Sequence, residues 1–518
     1  MWANRFLILS VAATLGAGAV RADAPLSAID WLSQSVATPA PSGQALPSLP
    51  PTRPALKPQA WQPGTISVAP IGAAGPDTLG LVPPERSGLP PTFWGNTPSE
   101  DLARQLAAEP ADTLPAMQAL LTSLLVTGLN APADGDPKGV LFLARVDKLL
   151  DLGALDPALA LLEQLNSSEP EPFRRWFDIS LLLGQEDHAC EMMAKNPEIA
   201  PTFPARIFCL ARQGDWPAAA ISLRAGRALG TLDGPTADLL ARFLDPDLFE
   251  GDPPLPMPER PSPLTFRMME AIDEPIATAT LPPAFAQADL RSNNGWKARL
   301  EAGERLARTG AISPNRLLGL YTEQRQAASG GVWDRVEAVQ AFEAALKSRD
   351  KAKLATAQTA VWGAMQQQGL EVPFAQLFGV RLSAAGLTGA PGALAFRIGL
   401  LSDDCDKVAE AHKTADPGER FLAAIASGAA PEQPPADPLG QAVAAAFAAD
   451  VTPDERFVPL LQGGRTGEAV LRAIDMLAGS AAGDLRDVTA GLQLLRQVGL
   501  EVPARRAALE LLLLERRG

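Results

Sequence analysis

Gly369-Leu370-Glu371-Val372-Pro373 recurs residue for residue as Gly499-Leu500-Glu501-Val502-Pro503, each time between apolar runs of helical spacing. Two looser versions, Gly153/Pro157 and Gly310/Pro314, keep the same four-residue interval. A glycine just past a helix end takes the left-handed conformation that closes the helix, and a proline suits the first turn of the next one. In two copies the residue before proline, Asp156 or Ser313, is also a good N-cap. The motif predicts one device used repeatedly: helix, tight corner, helix.

The rest of the chain agrees with that reading. It is rich in Ala and Leu, strong helix formers, and holds a single tyrosine, Tyr321, in 518 residues. Residues that favour strands are thin, and no convincing run alternates with the period of a strand. The folded part is expected to be all-α.

The N-terminus reads as an export signal. Arg5 supplies the positive start, Phe6 to Val20 an apolar core, and Val20-Arg21-Ala22 the small residues of a cleavage site after Ala22. A core of about 15 residues is short of the roughly 20 that span a bilayer. With no cysteine near this site, a lipoprotein anchor is not expected. Cleavage removes Arg5 and Arg21 and leaves the chain more acidic than its formal net charge of -14. Such an excess of carboxylates repels phosphate and argues against nucleic acid or anionic lipid as partners. The expected compartment is the periplasm or the exterior, with no stable membrane anchor.

Composition then divides the chain. Residues 1–22 form the signal and 23–96 a Pro/Ala-rich segment, expected to be disordered because it cannot bury enough apolar surface to offset its ordering entropy. Two apolar islands interrupt it. Leu26, Ile29, Trp31 and Leu32 make the first a candidate partner-docking peptide. The second, Leu89 to Gly95, abuts the body and is expected to pack on its end. Thr97-Pro98-Ser99-Glu100 has the form of a capping box that starts the body. A first helical-hairpin array covers 97–250, with turn glycines at Gly153, Gly184 and Gly214 after the runs Leu141–Leu152, Phe173–Leu183 and Phe203–Gln213. A Pro-rich connector is expected over 251–290, a second array over 291–430 and C-terminal hairpins over 431–518. A glycine period of about 30 residues resembles tetratricopeptide-type arrays in architecture, without their full consensus. The expected fold is a TPR-like α-solenoid behind a disordered tail.

Residues able to carry chemistry are few. Cys190 and Cys209 lie 19 apart, on the second helix of one hairpin and the first of the next, and export favours a disulfide between them. Cys405 has no analogous partner and reads as a free thiol. His188 and His412, the only histidines, have no zinc-set spacing to any cysteine and read as solvated helix-surface residues. Asp134-Gly135-Asp136 opens like a calcium loop but lacks the later ligands, and is read as a polar turn. Asp403/Asp404 sit at a helix start, where capping accounts for them. Catalytic elbow, zinc-protease and phosphate-loop motifs are all missing from the sequence. No cofactor or metal is expected. The leading expectation is a non-catalytic periplasmic scaffold that binds other envelope proteins or peptides. The alternative is a peptidoglycan-acting envelope enzyme with a helical body, which convergent carboxylates in a deep pocket would favour.

Overall fold

A computed structural model describes residues 75–165, 169–449, 454–478 and 484–514. Among the described residues there are α-helices, short 3-10 turns and one isolated parallel bridge, Val82 to Thr127, but no strand. The all-α expectation holds. The helices are α1 Pro84–Ser87, α2 Ser99–Ala108, α3 Pro115–Val126, α4 Val140–Leu152, α5 Leu155–Leu165, α6 Pro170–Leu183, α7 Glu186–Lys195 and α8 Phe203–Arg212. Next come α9 Trp216–Leu229, α10 Gly234–Leu244, α11 Pro263–Ala271, α12 Ala286–Asp289, α13 Trp296–Arg308, α14 Pro314–Thr322, α15 Val332–Ser348, α16 Lys351–Gln366 and α17 Glu371–Ser383. The last are α18 Gly389–Leu400, α19 Cys405–Ala411, α20 Pro417–Ser427, α21 Pro438–Ala446, α22 Val458–Gln462, α23 Thr466–Ala478, α24 Leu485–Gln497 and α25 Glu501–Leu513.

The repeated corner is real and built one way. Gly153, Gly310, Gly369 and Gly499 all have φ between 65° and 86°. At Gly369 the glycine amide donates to Gln366 O and the next amide, of Leu370, to Met365 O. Gly499 and Leu500 repeat this pair of bonds onto Arg496 O and Leu495 O. These are the two bonds of a Schellman closure, which satisfies carbonyls a helix end would otherwise leave open. The proline does not always fall where the motif predicts. Pro314 opens α14 behind the Ser313 cap, whose hydroxyl accepts from Arg316 N, whereas Pro157, Pro373 and Pro503 are third residues of α5, α17 and α25. The helix starts two residues earlier than expected because any of its first-turn amides lacks an intrahelical partner, so a missing N–H there costs no bond.

Successive helices pack as neighbours through the chain: α7 on α8, α8 on α9, α13 on α14, α15 on α16, α17 on α18, α23 on α24. Two returns bend this succession back on itself. Helix α11 lies against α6 and α10, so the stretch 251–290, expected as a connector, is largely built into the body through Leu264, Phe266, Met268, Met269 and Phe285. Prolines interrupted the periodicity there, yet Pro263 sits at the first position of α11 behind its Ser262 cap, where proline is tolerated.

The second return joins the two ends. Helix α25 packs on α3, and α23 packs on α2 and α3. Residues 75–96, assigned by composition to the tail, belong to this joint. Phe93 O accepts the Gly467 amide, Asn96 bonds both Gly463 O and Gly464 O, and the Phe93 and Trp94 side chains are buried. The approach is close: a β-carbon at Gly467 would stand 2.8 Å from the Trp94 ring. The Leu89–Gly95 island thus does pack on the body. The sequence reading expects that packing but does not name its partners, which lie some 370 residues away in the C-terminal region.

Candidate functional site

Three N-terminal helices owe their starts to carboxylates from elsewhere. Thr97 does not cap α2; its buried hydroxyl donates to Glu468 of α23, and Asp134 accepts the Ser99 amide at 2.7 Å and the Ser99 hydroxyl at 2.8 Å. The capping box of the sequence is therefore replaced by a cap supplied from the 134–136 turn. Asp136 of that turn, with Asp77, accepts amides of α4 at Val140 and Phe142. Helix α3 has no acidic residue in its first turn and no cap of its own; Glu510 of α25 accepts its Ala116 amide at 2.8 Å. Each carboxylate meets open amides at the positive end of a helix dipole.

Fully buried cations tie the same region together. Arg145 donates to the carbonyls of Asp77, Leu79, Leu125 and Thr127, holding the 77–82 segment against α3 and α4. Burial lowers its pKa to about 10, so it stays charged at neutral pH. Lys148 donates to Glu109 O and, at 2.8 Å, to Asp151. Burial, with the Asp475 charge, raises the Glu109 carboxyl to about 8, and burial raises Asp178 to about 7 and Asp77 to about 6. Nothing in the sequence marks these groups, since a charged residue on an amphipathic helix normally reads as its solvated face.

Two cavities are candidate sites. One of about 310 Å³ lies where the Gly310 and Gly369 corners meet α3 and α25, lined in part by Ala116, Arg308, Pro314, Arg506 and Glu510. Its charges are largely committed to the joint: Arg506 bonds Asp403, and Glu510 caps α3. A second, of about 420 Å³, is walled by Phe396, Lys407, His412 and Glu419. His412 is not a solvated surface residue: its ring stacks on Phe396 at 3.8 Å and Nε2 lies 2.9 Å from Glu419, which that bond holds below the usual carboxylate range. It follows the last residue of α19, where it closes that helix against α20. His188 is exposed as expected, edge-on to Trp176.

The cysteine reading is met. Cys190 of α7 and Cys209 of α8 form a disulfide with Cα atoms 4.9 Å apart, and Cys405 is a buried free thiol raised in pKa by burial. A disulfide is compatible with an oxidising compartment. The Asp403/Asp404 pair does not cap α19. Asp404 pairs with Lys407, and Asp403 crosses to Arg506 of α25 and Gln376 of α17. Among the described residues no three His, Cys, Asp or Glu side chains gather as a metal site, and no helix is long and apolar enough to cross a membrane. The candidate docking residues Leu26, Ile29, Trp31 and Leu32, like the signal, lie outside the described residues.

One surface feature was not anticipated. Of seven large apolar side chains exposed among the described residues, five fall between 216 and 257: Trp216, Ile221, Leu229, Leu248 and Met257. Ile221 and Leu229, 60% and 77% exposed, alternate with the exposed Pro217 and Ala225 at intervals of four. They form one ridge of α9, opposite Ala219, Leu223 and Gly226, which face α8 and α10. Amphipathic patterning marks only the buried stripe, so the sequence carries no sign of this second apolar edge.

No protein-family model, no curated protein and no solved structure matches this chain.

Proposed function

We propose that this protein is an exported, periplasmic, non-catalytic scaffold whose helical hairpins form a TPR-like solenoid body that binds other envelope proteins or peptides. The observation that carries the reading is the α9 ridge. Solvent-facing apolar side chains concentrated on one helix and the segment just beyond it are what a protein–protein contact leaves exposed when its partner is away. Supporting it, hairpins stacked as neighbours present extended surfaces suited to peptide or helix recognition. The disulfide suits an oxidising compartment, and the N-terminal signal pattern supplies the route there.

Crosslinking and affinity purification of the exported protein from native cells tests the class. Recovery of one stoichiometric envelope complex is expected. Ile221→Asp with Leu229→Asp is expected to reduce that recovery at least tenfold while leaving the melting temperature nearly unchanged. Recovery of no partner, or equal recovery by the double variant, overturns the scaffold reading or its placement on α9 respectively.

A further inference from the structure

Resting on the reading of α9 as an interaction face, we propose that its resident occupant is this chain's own N-terminal island, Leu26 to Leu32. First, the ridge is apolar with a positive flank. Arg224 is exposed on α9 one turn on from Ile221 and adjoins Ala225 of the ridge, and among the described residues no carboxylate pairs with it. The body as a whole is strongly acidic, so an unpaired arginine beside an apolar ridge selects an apolar segment that carries acid.

Second, the island has the complementary character. Leu26, Ile29 and Leu32 recur every third residue, the spacing with which one edge of a short helix meets an apolar ridge, and Trp31 adds a large anchor. Asp23 and Asp30 carry the only charged side chains from 23 to 52; cleavage after Ala22 sets an α-amino group on Asp23, which leaves Asp30 as the carboxylate within the island itself. Docking on the ridge places a carboxylate within reach of Arg224 as the apolar side chains leave water.

Third, the tether reaches. The described fold begins at Gly75, and the chain between Leu32 and Gly75 spans at most about 140 Å at roughly 3.3 Å per residue. Eight helices, about four hairpin layers of roughly 10 Å each, separate Gly75 from α9, so α9 lies within reach of the island. Covalent tethering can hold a ligand near millimolar effective concentration, which favours the same chain over a second copy. A second copy is also disfavoured face to face, since two α9 ridges would bring two Arg224 side chains together. An envelope partner then competes with the island for α9, and the free scaffold keeps its apolar ridge covered.

The test uses the full exported chain with a photo-reactive benzophenone residue at position 221. Irradiation is expected to join position 221 to a peptide within residues 23–35, in a band of monomer mass. Trp31→Ala with Leu32→Ala, and separately Arg224→Glu, are expected to reduce that crosslink at least tenfold with an unchanged melting temperature. A crosslink only at dimer mass, a crosslink only to other regions of the body, or no loss in either variant overturns the proposal. If position 221 captures an envelope protein and never the N-terminal peptide, the inference falls and the scaffold reading stands. If the peptide is captured but native cells yield no complex, the scaffold reading falls instead.

Discussion

Glu109 shows what a single buried carboxyl does to the energetics of this body. Its Oε2 is buried with no hydrogen-bond partner among the described residues, and burial raises the carboxyl from 4.5 to about 8. A folded-state value above the unfolded one means the folded protein holds the proton more tightly. The stability this contributes is fully present below about 4.5 and is lost as pH rises through about 8. The whole swing is on the order of 5 kcal/mol. Asp178 and Asp77 are shifted in the same direction and add to the trend at lower pH. Urea unfolding of wild type at pH 5 and pH 8.5 is therefore expected to show a marked loss at the higher pH. Glu109→Gln, which cannot ionise, is expected to remove a large part of that difference and to be the more stable protein at pH 8.5. Equal pH slopes for the two proteins would rule out a neutral Glu109 in the fold. A residue of this kind is invisible in sequence because its titration depends on neighbours brought by α4 and α23.

At the scale of elements, corners and caps separate cleanly. Gly369 has φ of 65° with only the flexible Arg308 side chain near a prospective β-carbon, so the cost of alanine there is conformational. Gly369→Ala is expected to destabilise by about 1 kcal/mol, the penalty of a left-handed non-glycine residue. Gly363, inside α16, has open space around its missing β-carbon, and Gly363→Ala is expected to stabilise by up to about 1 kcal/mol. Opposite signs for two Gly→Ala changes six residues apart, read by thermal unfolding, check the corner geometry. Caps behave differently, because some come from far away in sequence. Glu510→Ala removes the cap of α3 and is expected to cost about 1 kcal/mol, with faster hydrogen exchange at Ala116. Glu510→Gln keeps a neutral acceptor and is expected to fall between the two. Exchange at Ala116 that ignores both changes would remove Glu510 from the cap.

For the molecule as a whole, the joint between its ends matters as much as the succession of hairpins. Phe93, Trp94, Thr97 and α3 meet α23 and α25 through backbone bonds, a buried carboxylate and apolar contact, so both terminal regions share one core. The disulfide acts elsewhere, clamping α7 to α8. Closing a loop of about 20 residues is worth roughly 3 kcal/mol in the chain-entropy account. Cys190→Ser with Cys209→Ser is expected to lower the melting temperature by a few degrees and to loosen hydrogen exchange across 186–212 first. Alkylation of the non-reduced protein is expected to leave both cysteines unlabelled. Labelling of Cys190 or Cys209 without reduction would mean the bond is not formed in the compartment the protein occupies.

Features encoded within a few residues were legible before any packing was known. The left-handed glycine at Gly369 and Gly499, the Ser313 cap and the all-helical composition are local consequences of backbone sterics and side-chain entropy. The spacing of Cys190 and Cys209 sufficed because hairpins place neighbouring helices together. Which distant groups satisfy one another depends on packing across the whole chain. Thr97 looked like a cap, yet a buried Glu468 took its hydroxyl and Asp134 took the helix. Residues 75–88 and 251–290 read as linkers because proline breaks their periodicity, but Leu79, Leu81 and Phe285 pack on cores assembled from remote helices. The exposed ridge of α9 was likewise unreadable, since an apolar residue is exposed or buried only by what the rest of the chain leaves beside it.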